Sequence, residues 1–274
     1  MEVLRSPIRE LGVYEEIEKS LKKKEKILLS GCIDSQKIHM MDGIGAPYKK
    51  RLILTYSDQR MREIYEDMRT YDKQVKMYPA KDLIFFEADI RGNQLLTERM
   101  KTMRHMIESE HCTVVTTFSA LMTPQIPLKI VKKNMISMKK GDSFELTKLS
   151  EKLTVLGYEK VYQVEGPGQF SVRGDILDIF DLTEENPYRI DFWGDEIENI
   201  RSFDCLSQRS VEPLEEIQIY PATEMIITDS LLSDGMDNIQ KDAERQEKYF
   251  REKHMSEEAG RIRKAAQNLH DEVF

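Results

Sequence analysis

The sequence contains no run of about 18 apolar residues, the length a membrane-crossing helix requires. Nor does its beginning, Met1-Glu2-Val3, open a signal peptide, because no long apolar stretch follows. Cysteine is scarce. Cys32, Cys112 and Cys205 form an odd, widely spaced set with no C-x-x-C pair, which argues against a disulfide framework and a thiolate zinc site and fits reduced thiols. The histidines His39, His105, His111, His254 and His270 keep no H-x-x-x-H or H-E-x-x-H spacing. His111 and Cys112 are neighbours, so in an extended segment they point to opposite faces. Internal repeats and low-complexity segments are also missing. These absences lead to the expectation of a soluble, cytoplasmic chain that holds no metal.

Of the 274 residues, 40% are apolar and 33% charged, enough to fill cores and too ordered in composition for a disordered tail. The length suits about two domains. A net charge of −8 argues against a whole-surface polyanion binder. The charge is uneven, with a slight basic excess in residues 1–119 and an acidic excess in the remainder. Lys22-Lys23-Lys24 and Lys49-Lys50-Arg51 are the basic clusters, and lysine runs beside helices are usually solvated faces.

Three pieces differ in texture. Residues 1–119 alternate strand and helix. Lys26–Leu29, Arg51–Tyr56, Val75–Tyr78 and Thr113–Thr117 are β-type runs, while Met61, Ile64, Tyr65 and Met68 share a helical face behind a Ser57 or Asp58 cap. Leu96, Met100, Met103 and Ile107 form a second stripe. Such alternation predicts βαβ units and a parallel sheet. Residues 120–206 open with Pro124 and Pro127. One helix follows (Leu149, Leu153, Leu156, with Gly157 as its stop), then closely spaced strands parted by glycine and proline turns, which predicts a small α+β module. Residues 207–274 carry one strand, Ile217–Tyr220, and a long charged helical region with weak apolar faces. Such a helix needs something to lie on, so the domain is expected to continue beyond residue 274.

The first motif with chemistry in it is Gly31-Cys32-Ile33-Asp34-Ser35-Gln36-Lys37-Ile38, after an apolar run and before a helix, where a phosphate-binding P-loop would sit. That loop needs G-x-x-x-x-G-K-[ST]. Gly31 and Lys37 fit. Gln36 replaces the second glycine and crowds the phosphates, and Ile38 replaces the metal-binding hydroxyl. On pattern alone a glycine ahead of a lysine-bearing helix is equally a coincidence. Asp89, Asp175, Asp178, Asp191 and Asp195 could supply a carboxylate pair, but aspartates in strands and turns are more often caps and surface charges.

The second motif is Gly168-Gln169-Phe170-Ser171-Val172-Arg173-Gly174-Asp175-Ile176-Leu177-Asp178-Ile179-Phe180, followed by Pro187-Tyr188-Arg189-Ile190-Asp191-Phe192-Trp193. Arg173, Arg189 and the single tryptophan thus fall on successive strands, and Arg and Trp are frequent interface anchors. Arg189 and Trp193, four apart on one strand, would share a face. Residue types alone favour a different picture, a core tryptophan with two solvated arginines whose removal leaves the fold intact.

Together with Asp195-Glu196-Ile197 and Ile200-Arg201-Ser202-Phe203-Asp204, these runs resemble the UvrB-homology region, shared by the excision-repair protein UvrB and the transcription-repair coupling factor (Mfd) family. The match is specific over 157–210 and looser over 26–130. UvrB has a working P-loop and a tyrosine-rich DNA-clamping hairpin. This chain has the degraded loop and, after Pro79, only Leu83-Ile84-Phe85-Phe86-Glu87 and a short link, so it resembles the coupling-factor N-terminus more closely.

The resemblance implies an α/β fold. It would comprise a RecA-like parallel-sheet body with a degenerate P-loop (1–119), an inserted α+β UvrA-interaction domain (120–206), and the start of a further body segment (207–274). It implies a non-catalytic module that recruits UvrA in transcription-coupled nucleotide excision repair, with Arg173, Arg189 and Trp193 as contacts. The family usually has Phe at the position of Trp193. The module itself would need no cofactor. ATP and magnesium would serve motor domains elsewhere in a DNA-translocating parent, which would also meet RNA polymerase and DNA and hold the UvrA surface against its own C-terminal part. The rival readings are a UvrB-type ATPase and a stand-alone nucleic-acid-binding domain.

Overall fold

The computed structural model describes residues 2–81, 88–227 and 229–273; the Leu83–Glu87 stretch lies outside the described residues. Two compact units divide at Glu224/Met225. The first unit opens with helices α1 (Glu2–Arg9), α2 (Tyr14–Lys22) and α3 (Asp34–Gly45). It continues through β1 (Lys50–Thr55), α4 (Asp58–Met68), β2 (Lys76–Tyr78), α5 (Ala88–Glu108) and β3 (Cys112–Thr117). The three strands form one parallel sheet in the order β1-β3-β2, joined by helical crossovers as the alternating pattern predicts. β3 lies in the middle and is buried along its whole length. Ser57 accepts a hydrogen bond from the Arg60 N–H and starts α4, which lays Met61, Ile64 and Met68 on the sheet beside Ile38 and Val115.

One expected strand is missing. Lys26–Leu29 belongs to no sheet, and Leu28 is 91% exposed. An apolar run becomes a strand only where a neighbour takes up its backbone hydrogen bonds.

After the short helices α6 (Phe118–Met122) and α7 (Leu128–Asn134) comes β4 (Ile136–Lys139), which pairs antiparallel with β11 (Glu216–Ile219). Between them lie α8 (Leu146–Val155) and strands β5 (Glu159–Lys160), β6 (Gln169–Arg173), β7 (Ile176–Ile179), β8 (Tyr188–Trp193), β9 (Glu196–Phe203) and β10 (Ser210–Leu214). These six make a sheet in the order β10-β9-β8-β7-β6-β5, antiparallel except for the β5–β6 pair. Phe170, Leu177, Ile190 and Ile200 are buried at alternate positions, as are Leu149 and Leu153 on α8. Gly157 ends α8 as its position predicts. At φ +86° it permits the paired bonds of a Schellman stop, Gly157 N–H to Thr154 O and Tyr158 N–H to Leu153 O, both 3.0 Å. A Cβ there would meet Thr223 at 2.6 Å.

Arg99 ties the piece before residue 120 to the end of the unit. It is 1% exposed and bonds Pro79 O (2.6 Å), Gln125 Oε1 (2.9 Å) and Glu224 Oε2 (3.0 Å). Lys81 reaches the same carboxylate.

The second unit is the long charged region, read from sequence as one helical stretch. The structure breaks it into α9 (Asp229–Glu252) and α10 (Ser256–Val273), joined by a turn in which His254 has φ 57°. The two helices pack on each other.

Candidate functional site

The two sequence motifs occupy different places in the first unit. Gly31 adopts φ +82° and precedes α3. α3 begins not at a glycine but at Asp34, whose carboxylate takes a hydrogen bond from Lys37 (3.2 Å) and another from Arg60 (3.1 Å). The Lys37 bond and the Arg60 charge hold the Asp34 carboxyl below its usual range. Gln36 and Lys37 are exposed, whereas Ile38 points inward and is core. The start of α3 thus already carries a negative group of the chain's own.

The second motif forms one outer face of the six-stranded sheet. Two short turns, Gly174-Asp175 and Gly194-Asp195, each have glycine at positive φ (60° and 62°), the backbone that tight hairpins demand. Both turns lie at the same end of the sheet, so Arg173 and Trp193 come to the same edge from β6 and β8. With β7 between them the two strands stand about 10 Å apart. On β8, Tyr188, Ile190 and Phe192 are buried while Arg189, Asp191 and Trp193 point the other way. A bulge opposite Asp191/Phe192 shifts the β8–β9 register without breaking this alternation.

Trp193 is 81% exposed, so the expectation of a core tryptophan is overturned. The cause is the period of two along β8, which gives the core side to Phe192. The expectation of two solvated arginines also fails, because both hold Asp178 of β7. Asp178 is 1% exposed and sits directly across from Arg189. Arg189 donates through Nε (2.6 Å) and Nη2 (2.9 Å), and Arg173 donates through Nη2 at 2.5 Å. Arg189 also donates to Gln208 Oε1 (2.9 Å) and lies 4.2 Å over the Phe203 ring. The Asp178 bonds raise the Arg189 pKa further, although burial opposes this. Arg189 is therefore half-buried and structural, with only part of its guanidinium turned outward, while Arg173 is the more open of the two.

Asp178 is the residue that sequence reasoning missed. Aspartates in strands are expected as caps and surface charges, whereas Asp178 is a buried counter-ion. The signal exists only in the pairing register, which puts one carboxylate between two arginines from neighbouring strands. Next to it Asp191 and Arg201 pair, with Arg201 Nη2 at 3.1 Å from the carboxylate. The face is therefore a network of paired charges with the exposed Trp193 at its edge. Among the described residues no group of three or more His, Cys, Asp and Glu could hold a metal ion, and no helix is long and apolar enough to cross a membrane.

Comparisons with known proteins match the segment that carries this face. Residues 136–225 match the family model of the UvrB interaction domain. The chain is similar to the transcription-repair-coupling factor of Bacillus subtilis, 32% identical over 193 residues, which are 70% of this chain and 16% of that protein. The Myxococcus xanthus protein of the same name is 34% identical over 152 residues (55% and 13%). That of Staphylococcus epidermidis is 27% identical over 220 (79% and 19%). The chain thus spans less than a fifth of the length of these relatives.

Proposed function

We propose that this chain, which carries a UvrB interaction domain and resembles transcription-repair coupling factors, is the part of such a protein that recruits UvrA. In this reading the outer face of β6–β9 is the contact surface. Trp193 inserts into an apolar pocket of the partner, Arg173 bonds a partner carboxylate, and Arg189 holds the face in shape and offers its remaining donors. The exposure of Trp193 beside arginines anchored on a buried carboxylate carries the reading. An exposed tryptophan is costly to leave in water and is common at interface centres. Donors fixed by Asp178 lose little freedom on binding.

The body of α3–β3 we read as a RecA-like sheet with a degenerate phosphate loop, and the chain as non-catalytic. In support, Asp34 places a carboxylate where a helix start would otherwise attract phosphate, and Ile38 is committed to the core. ATP, magnesium, DNA translocation and contact with RNA polymerase would belong to the remainder of a longer parent, acting in transcription-coupled excision repair. Titration calorimetry of the chain against UvrA tests the recruiting role. Saturable binding that Trp193→Ala weakens supports it, and an absence of binding overturns it.

A further inference from the structure

Within residues 136–225, three large apolar side chains are more than four-fifths exposed: Tyr162 (87%), Trp193 (81%) and Leu206 (91%). A single exposed apolar residue is ordinary on a protein surface. Here Tyr162 and Leu206 belong to two loops that are fastened to the outward side chains of the sheet, on the face that carries Trp193.

The first loop lies along β6. Gln169, Ser171 and Arg173 share the outward side of that strand, with Ser171 directly across from Asp178. The Ser171 hydroxyl donates to Tyr162 O at 2.7 Å. Gln169 Oε1 accepts from the Glu165 N–H (3.0 Å) and the Gly166 N–H (3.1 Å).

The second loop, Asp204–Arg209, joins β9 to β10 at the end of β8 opposite Trp193. The Asp204 carboxylate accepts from the Ser207 N–H and hydroxyl, both at 2.7 Å. The Asp204 N–H donates to Arg209 O (2.9 Å) and the Gln208 N–H to Asp204 O (2.8 Å), which closes the loop on its own backbone. Gln208 adopts φ 59°, a left-handed conformation that carries a steric cost outside glycine. Its side chain ties the loop to the sheet, since Nε2 donates to Cys205 O (2.8 Å) and Oε1 accepts from Arg189 (2.9 Å). Beneath that bond the Phe203 ring is fully buried under the Arg189 guanidinium, so the outer face continues from Arg189 into the loop.

Trp193 stands about 13 Å from Arg189 along β8, at roughly 3.3 Å per residue. A stable contact covers about 800 Å² of each partner, a patch roughly 30 Å across. A contact that takes in Trp193, Arg173 and Arg189 therefore reaches both loops. Side chains presented by loops already fixed lose little freedom on binding. We propose that Tyr162 and Leu206 are two further anchors of this face, each entering an apolar recess on the protein that receives Trp193. The inference rests on the reading of the face as a UvrA contact. It gives the partner a definite character: apolar recesses placed around an acidic centre that meets the arginines.

The test is calorimetric titration of UvrA with wild type, Tyr162→Ala, Leu206→Ala and Trp193→Ala, with Tm measured on each. Tyr162→Ala and Leu206→Ala should each bind about tenfold more weakly, the scale of one large apolar side chain left in water. Both should keep the wild-type Tm, because the side chains are exposed. Raised sodium chloride should leave these two losses unchanged and shrink that of Arg173→Ala, since salt screens charges and not apolar contacts. Leu28→Ala, an equally exposed leucine outside the six-stranded sheet, should bind as wild type. Wild-type affinity in either Tyr162→Ala or Leu206→Ala, while Trp193→Ala is weakened, overturns this inference alone. An equal loss in Leu28→Ala, or a fall in Tm that accompanies the loss, does the same. No binding by the wild-type chain overturns the UvrA reading and this inference with it.

Discussion

Asp178 is the residue on which the candidate face depends. Its carboxylate is out of water and, among the described residues, is bonded by Arg173 and Arg189. Removing one partner of a buried ion pair strands the other, a loss of about 3–5 kcal/mol when nothing compensates. Arg189→Ala leaves Arg173 in place, so we expect about 2 kcal/mol of destabilisation, within the range for a lost charged hydrogen bond. Asp178→Ala should approach the full loss, and Asp178→Asn should fall between. Chemical denaturation of the three variants checks the order. A stability equal to wild type in Arg189→Ala would contradict the buried pair. By contrast Trp193→Ala should shift stability by no more than about 0.5 kcal/mol, because the ring is largely in water. Sequence alone suggested the reverse, with arginines dispensable to the fold and the tryptophan risky. Residue type predicts burial only on average, and here register and the alternation of β8 decide it.

At the scale of elements, the parts legible in the sequence were those set by local rules. The Ser57 cap, the α4 stripe, the Gly157 stop and the β1, β2 and β3 runs all follow from short-range chemistry. Lys26–Leu29 looked no different as a string, and its state turns on whether a neighbouring strand is present. The Arg99–Glu224 lock was equally invisible, since 125 residues separate the partners. It brings a pH dependence of definite sign. Burial pushes the Glu224 carboxyl up, but the bonds from Arg99 and Lys81 outweigh it, and the net pKa lies below the ordinary value. A depressed carboxylate contributes stability that is complete above its unfolded pKa, about 4.3, and is lost as pH falls through the folded value. Asp181, raised by burial, acts in the opposite direction. The comparison must therefore be wild type against Glu224→Gln. Thermal unfolding from pH 7 to pH 3 should show a shallower acid-side fall in the variant. Parallel curves would contradict the lock.

At the scale of the whole molecule, the net charge of −8 and the occupied start of α3 bear on what the chain does not do. It should release no phosphate from ATP above a protein-free blank, and Lys37→Ala should make no difference. Turnover abolished by that substitution would revive the ATPase reading. Duplex DNA should bind no more tightly than ordinary non-specific complexes, roughly 10⁻⁴–10⁻⁶ M near physiological salt. Sub-micromolar anisotropy titrations would revive the nucleic-acid reading. The central claim is that the β6–β9 face recruits UvrA, and calorimetric titration of UvrA with wild type, Trp193→Ala and Arg173→Ala tests it most directly, with Tm measured on each protein. The account predicts that each variant binds about thirtyfold more weakly, the loss of a hot spot worth about 2 kcal/mol, and that Trp193→Ala keeps its wild-type Tm. Wild-type affinity in both variants would contradict it.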